Sequence, residues 1–474
     1  MKNSLIKYVL FSLMVLTGFF TAMAQESSTL YFMKGVSQSD LLNPALHNDS
    51  SRVVISLPGL SGIYFNANSG FAVNDLIHKG TGLLADSLVM DFESFQNALK
   101  SKNSIEQNVS IPLLYIGIRV KKSFFSFGIT EKEVAQLTFD KSLVTFIKDG
   151  NAPYVGQDFD LGNLEFDALH YREYAFGYSN EVIKNKLTVG LKLKALYGKS
   201  AIQTERMNLK VETAADASYL NLKSDMKVNI SMPGKLEYDS INYLSGINSD
   251  NLKPGDYMMQ TGNFGMAFDL GAVYILTPKI TLSGSIIDMG KISFKKDLIN
   301  INKTATYKWE GIDVSKSLDK TKSDYVSFDD LFSNEADKIS NSFRPNKSEI
   351  KSESFDVSIP TKIYLGGAYQ INKKYDIGLL DRLYMYKGMS KNSVTLSGNA
   401  MFGNFFSLTG SYSMIGNSYN NLGLGMAIRA GSTQLYLVSD NLLALNPSKA
   451  QLVNLKFGMN FFFGRIHAPK AAVE

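Results

Sequence analysis

The residues of this sequence best placed to do chemistry are single charges set into alternating apolar or glycine-rich runs: Glu173, Lys192, Lys194, Asp269, Arg429 and Lys456. In the run Leu187 to Tyr197, Leu187, Val189, Leu191, Leu193, Ala195 and Tyr197 share one face, while Lys192 and Lys194 share the other. A helix would set those lysines about 200° apart, whereas a strand aligns them. Charges enclosed on the inner face of such strands have two uses. They can pair across strands and hold an interior closed, or line a passage and sort solutes by charge. Glu173 lies on a strand expected over 171–179, and the short connection from Glu181 to Lys186 makes it an antiparallel neighbour of the lysine strand. Pairing is therefore the stronger account.

Catalytic chemistry finds little footing. The four histidines, His47, His78, His170 and His467, fall in unrelated contexts, and no nucleophile elbow, phosphate loop or calcium loop is present. Asp158, Asp160, Asp167 and His170 read as a solvated polar loop rather than a cation site. The absence of cysteine excludes disulfides, thiol catalysis, cysteine-ligated zinc and a lipid-modified N-terminal cysteine. A net charge of +5, two units of which are leader lysines, gives no warrant for nucleic-acid binding. No catalytic, cofactor-binding or metal residue is assigned, and the chain is expected not to be an enzyme. Asp440-Asn441 reads as a turn, and Trp309 as an interface anchor or a packing residue.

The elements that would position the charges are strands. Lys2 and Lys7, an apolar run from Val9 to Phe20 and Ala22-Met23-Ala24 form an export leader over 1–24. Residues 25–50 are expected to form an N-terminal periplasmic or plug segment, 51–464 a barrel, and 465–474 a tail. The final run from Leu455 to Gly464 sets Phe457, Met459, Phe461 and Phe463 on one face against Lys456 and Asn460 on the other. Sixteen strand-like segments are legible, among them 52–57, 61–67, 187–197, 203–213 and 218–230, with none between 371 and 393. Long polar stretches at 232–262 and 341–356 are expected on the extracellular side, opposite short turns such as Lys121-Lys122. Helical spacing within 74–101, and Ser327 as a cap before Phe328, Leu331 and Phe332, predict short helices near 74–101 and 327–343, either inserted in the barrel or packed on its rim.

A soluble sandwich would also alternate. Here the face opposite the bulky one is repeatedly Gly, Ala or a single charge, as at Gly423, Gly425, Ala427 and Arg429, which suits an enclosed interior rather than a wet surface. Strands in hydrocarbon must pair every backbone group, and only closure does so. The expected fold is an all-β transmembrane antiparallel β-barrel of about fourteen strands, located in the cell outer membrane in contact with its lipid.

The stretch Leu435 to Pro447, continuing through Ala450, Asn454 to Asn460 and Phe463-Gly464, resembles the C-terminal signature of an uncharacterised family of Bacteroidota outer-membrane barrels, the domain of unknown function 5723 type. Leu57 to Gly62, Gly190 to Gly198 and Ile359 to Gly367 support it. Asn43-Pro44-Ala45 is similar to a short N-terminal motif of the long-chain fatty-acid transporter superfamily, whose barrels carry an inserted N-terminal plug. From the residues alone, Asn43 accepts local backbone bonds and Pro44 fixes a turn. The resemblances imply passive passage of a small or hydrophobic solute. Relatives of that architecture that serve the type IX secretion machinery imply the alternative, a non-catalytic scaffold or partner subunit of an envelope protein complex. No cofactor is implied.

Overall fold

The computed structural model describes residues 28–47, 51–59, 62–82, 85–250, 252–318, 321, 323–415, 418–442 and 451–465. The expected leader, the Leu443 to Pro447 part of the signature with Ala450, and the tail beyond Arg465 lie outside these residues.

The chain opens with β1 (Ser51–Ser56) and β2 (Ile63–Asn68), then forms a small rim hairpin of β3 (Ile77–Lys79) and β4 (Leu88–Met90). Long strands follow: β5 (Lys102–Val120), β6 (Ser123–Asp140), β7 (Asp158–Ile183) and β8 (Leu187–Thr213). Beyond them come β9 (Leu220–Ser231), the hairpin β10 (Lys235–Tyr238) and β11 (Leu244–Asn248), then β12 (Asn263–Thr277), β13 (Ile280–Phe294) and β14 (Leu298–Trp309). Two short pieces, β15 (Ile350–Lys351) and β16 (Phe355–Ser358), precede β17 (Thr361–Gln370), β18 (Tyr375–Tyr386), β19 (Met389–Phe402) and β20 (Phe406–Ile415). The chain ends in β21 (Ser418–Ala430), β22 (Thr433–Ser439) and β23 (Leu452–Arg465).

Fourteen staves close into an antiparallel barrel. Closure is made by β1 and β2, which together form one stave lying between β23 and β5, with Val53 opposite Phe463 on one side and Ile118 on the other. That stave is interrupted between Ser56 and Ile63. Gly62 there has φ +116°, and a Cβ would run into the Tyr436 hydroxyl and the Phe457 carbonyl, so only glycine fits. The sixteen expected segments reduce to fourteen staves for physical reasons. Segments 52–57 and 61–67 share a stave, 187–197 and 203–213 are one strand, and 218–230 is β9, which pairs with β8 and β14 outside the barrel. One stave, β18, was not legible. Its inner face holds the bulky Leu380, Tyr384 and Tyr386 and its outer face holds Asp381, so its pattern of polarity is blurred on both sides.

Side-chain exposure separates the two faces of the closing strand. Phe457 and Phe463 are 42% and 50% exposed, whereas Lys456 and Asn460 are 8% and 0%. Outward Phe125, Phe176, Leu193, Met266, Leu365, Leu396 and Leu435 continue the apolar belt around the wall. The protein is an outer-membrane β-barrel. Its two ends differ. Lys121-Lys122, Pro278-Lys279 and Gly431-Ser432 share the end where β1 begins and β23 finishes, and the long connections open at the opposite end, together with the tight turn Lys387-Gly388.

The helices sit at the long-loop end. Phe95 and Leu99, from the helix Phe92–Ala98 and its C-cap, pack with Phe71, Phe139 and Val144 beside the helix Lys141–Asp149, on the rim. Ser327 accepts a hydrogen bond from the Asp330 amide and caps the helix Phe328–Phe343. That helix lies on β14, where the Tyr307 hydroxyl donates to Glu335 at 2.6 Å. β7 and β8 run for 26 and 27 residues, far more than the roughly 10 needed to cross a bilayer. Their outer halves join β9 and β14 in a sheet beyond the barrel, laced by pairs such as Arg206 with Asp225 at 2.7 Å. Trp309 ends β14 in that sheet.

Candidate functional site in the barrel lumen

Residues 28–47 run through the lumen from the long-loop end to the short-turn end. At the first end, Asp440, just after β22, accepts hydrogen bonds from the Ser28 and Thr29 amides at 3.0 and 2.8 Å. The carboxylate thus satisfies free amides at the start of the short helix Ser28–Tyr31. At the other end, the His47 ring stacks on Phe124, with centroids 5.0 Å apart. Between them Tyr31 stacks on Tyr364 of β17, and Gln38 exchanges two hydrogen bonds with Asn460 of β23 at 2.6 and 2.9 Å. Asp40 accepts from the Tyr115 hydroxyl at 2.8 Å and meets Lys192 at 3.1 Å. Asn43 keeps the expected local bond, its Oδ1 accepting from the Ala45 amide at 2.9 Å. Its Nδ2 also donates to the carbonyls of Ala272 and Gly284, on β12 and β13.

The wall is shaped to receive this segment. A Cβ on Gly190 would strike Pro44, one on Gly271 Asn43, one on Gly378 Phe32, and one on Gly423 Thr29. The glycines read from the sequence as marks of a crowded interior are grooves for these plug residues.

Beside the plug lies a layer of charge. Lys194 stands 2.8 Å from Asp269, 2.5 Å from Asp288 and 3.7 Å from Glu173. Lys132 stands 2.8 Å from Glu173 and 3.5 Å from Asp288, and Lys362 stands 2.9 Å from Asp288. Three lysines and three carboxylates, on β6, β7, β8, β12, β13 and β17, balance. Buried ions are tolerated only when compensated in this way. Asp288 reaches the centre because its backbone is left-handed, φ +60°, and its amide donates to Asp269 at 2.7 Å. A short polar side chain tolerates that conformation better than a branched one.

Of the six charges read from the sequence, Glu173, Lys194 and Asp269 join this layer, and Lys192 pairs with Asp40 of the plug. Lys456 is apart, its Nζ 5.9 Å from the Tyr64 ring. Arg429 lies toward the short-turn end, over the Phe462 ring at 4.2 Å and donating to Ser51 at 3.0 Å. Sequence reasoning missed Lys132, Asp288 and Lys362. Extending the alternation of Phe124, Ser126, Gly128 and Thr130 by one step reaches Lys132, but the flanking Glu131 and Glu133 hide it in a polar run. Asp288 is displaced from any simple period by its bulge. Asp440, read as a turn residue, lies at a bend after β22 and also clamps residues more than 400 positions away.

Above Leu41 and Leu42 a cavity of about 110 Å³ faces the long-loop side, bounded by Val109, Val134 and Tyr171, by Lys132, Arg382 and Lys391, and by Glu106, Glu133 and Glu173. Asp160 pairs with Lys210 at 3.7 Å, Asp167 with Lys387 at 2.5 Å, and His170 approaches Glu131 at 3.0 Å, so the polar residues of β7 do not converge. Among the described residues, no group of three or more histidines and carboxylates could hold a metal ion.

A family model, described as a family of unknown function (DUF5723), matches residues 44–440, most of the chain. The chain belongs to this family. No curated protein matches this DUF5723 member. Among solved structures it is similar to the CymD monoaromatic hydrocarbon channel, at 10% identity and TM-score 0.39, covering 91% of this chain and 94% of that one. It is also similar to the Pseudomonas putida toluene transporter TodX, at 9% identity and TM-score 0.36, covering 93% and 97%. A FadL homologue of Pseudomonas aeruginosa gives 10% identity and TM-score 0.38, covering 93% and 97%.

Proposed function

We propose that the protein is a non-catalytic, gated outer-membrane passage for a small amphipathic solute, with residues 28–47 as the gate. The observation that carries this reading is the cavity of about 110 Å³ between the plug and the long-loop mouth, where apolar Val109 and Val134 stand beside lysines paired with carboxylates, Lys132 with Glu173 and Lys391 with Glu106. Such mixed lining is what a solute with an apolar body and a polar end requires. The wall around the plug supports the reading. It is rich in glycine and in buried hydroxyls such as Ser397, Thr409, Ser411 and Ser413, a surface that water could wet once the plug moved. A permanently filled barrel would be packed more cheaply with apolar side chains.

On this reading Glu173, Lys192, Lys194 and Asp269 face the lumen and brace it, and Lys456 lines the entry. The test is conductance and liposome swelling with the full chain, wild type and Asp440→Ala. The wild type stays closed and the variant conducts. A variant with a folded barrel, a released plug and no conductance would overturn the proposal.

A second reading, docking in an envelope assembly, is favoured by the sheet that β7, β8, β9 and β14 build outside the barrel with the helix Phe328–Phe343 upon it. Isolation from gently solubilised membranes tests it, and recovery only as a free barrel counts against it.

A further inference from the structure

On the outer wall, two small residues stand side by side in the apolar belt. Ala272 of β12 and Gly284 of β13 are register partners, and their row continues to Val189 on β8 and Leu365 on β17. The next row holds Leu191, Leu270, Ile286 and Ile363, all large. The result is a concavity of about 640 Å³ with Ala272 and Gly284 in its floor and large apolar side chains around it. Gly284 is four residues from the start of β13 at the short turn Pro278-Lys279, roughly 13 Å along the strand. Short turns mark the periplasmic side, so the concavity opens to the inner leaflet, which supplies phospholipid chains.

The floor is also where the plug is fastened. Asn43 donates to the carbonyls of Ala272 and Gly284 at 3.3 and 3.2 Å from the inside, and Ser285 donates to the Leu42 carbonyl at 2.6 Å. One thickness of backbone separates the concavity from the Asn43-Pro44-Ala45 turn.

We infer that this concavity is a binding site for one acyl chain of an inner-leaflet phospholipid, seated on Ala272 and Gly284 directly behind the Asn43 anchor. Its continuity with the lipid-facing belt fixes the occupant, because the rim residues Leu191, Leu270 and Leu365 are themselves exposed to hydrocarbon. Such a site does not depend on whether the barrel conducts. A chain ordered there packs against the two peptide groups that hold the plug, and so biases the plug toward its seated position.

The experiment uses the full chain reconstituted in vesicles of phosphatidylethanolamine carrying a diazirine in one acyl chain. Crosslinks should concentrate on Leu270, Ile286 and Leu365, relative to Leu396 and Leu437 elsewhere on the belt. They should fall several-fold in Gly284→Leu, because packing against the wall, not exclusion of water, holds a chain there and the new side chain fills that space. An added Cβ at Gly284 meets Leu365 only at ordinary contact distance, 3.5 Å, and Ala272→Leu supplies a second variant that fills the same floor. Uniform labelling around the belt, or labelling unchanged in either variant when it is folded by gel mobility, would overturn the proposal. Protein-to-protein crosslinks at this row, showing a second copy seated there, would overturn it too.

Discussion

Asp440 and Thr29, separated by 411 positions, are joined twice, by the Thr29 amide at 2.8 Å and by its hydroxyl, and both residues are fully buried. This contact holds the leading end of the plug to the wall. Asp440→Ala removes a helix-start acceptor worth about 1–2 kcal/mol. In a two-state plug that shift raises the released population by roughly 5- to 30-fold. The chain has no cysteine, so Ser37→Cys makes a unique probe of the plug interior, and the Ser37 hydroxyl has no hydrogen-bond partner among the described residues. Maleimide labelling of that thiol should accelerate by the same factor in the Asp440→Ala background while the barrel keeps its folded gel mobility. Equal rates would show that the clamp contributes nothing to retention.

The network around Asp288 makes a different prediction, because it braces the wall. Lys194→Ala strands Asp269 and Asp288 beside one another with one cation fewer. Removing one partner of a buried ion pair costs on the order of 3–5 kcal/mol. The urea midpoint and the yield of folded barrel should both fall. Lys194→Met with Asp269→Leu should recover much of the loss, since it removes opposite charges together and keeps the volume. Glu173→Gln, which takes the negative charge out of the 2.8 Å pair with Lys132, should lower yield in the same direction. A variant that altered solute uptake with full yield would instead mark the network as a selectivity layer.

Strand periodicity was legible wherever inner and outer faces differ in size as well as polarity, as at Leu187 to Tyr197 and along β23. It failed at β18, where Leu380 and Tyr384 point inward to fill the lumen and make both faces bulky. The neighbours of Glu173 were half legible. Lys194 followed from antiparallel pairing, but Lys132 approaches across β6 and β7, and Asp288 depends on a left-handed bulge that no alternation announces. The course of residues 28–47 through the lumen is not legible locally, because its anchors, Asp440, Asn460 and Asn43, join residues hundreds of positions apart. Local patterns carry no record of such pairs.

Wall glycines give a test of fit between plug and barrel. A Cβ at Gly378 would enter the Phe32 ring, whereas one at Gly398 or Gly410 would meet nothing within 4 Å among the described residues. Gly378→Val should therefore displace the plug at a cost of about 1–3 kcal/mol, typical of overpacking. Thiol labelling in the Ser37→Cys background should rise as it does for Asp440→Ala. Gly398→Ala and Gly410→Ala should leave it unchanged, and a rise in those two would mean that the inner surface responds to any added methyl.

The loop helix Pro254–Met259 supplies a pH-dependent prediction at the outer face of the wall. The Tyr257 hydroxyl lies 2.7 Å from His170 Nδ1 and 3.0 Å from the Ser200 hydroxyl, and burial, aided by Glu133 and Glu131, pushes its pKa up to about 12. A phenol whose pKa is raised in the docked state favours docking while neutral. The contribution is complete below about pH 10, where the free phenol is also neutral, and is lost as pH rises through 12. A shift of that size corresponds to about 2–3 kcal/mol of docking. Met259 is exposed, so a spin label on Met259→Cys reports loop mobility. Mobility should increase between pH 10 and 12, and Tyr257→Phe should remove that transition because it has no proton to lose. Its mobility should already be higher at neutral pH, since the bonds to His170 and Ser200 are gone. A transition that persists in Tyr257→Phe would assign the pH response to another group and detach it from this hydroxyl.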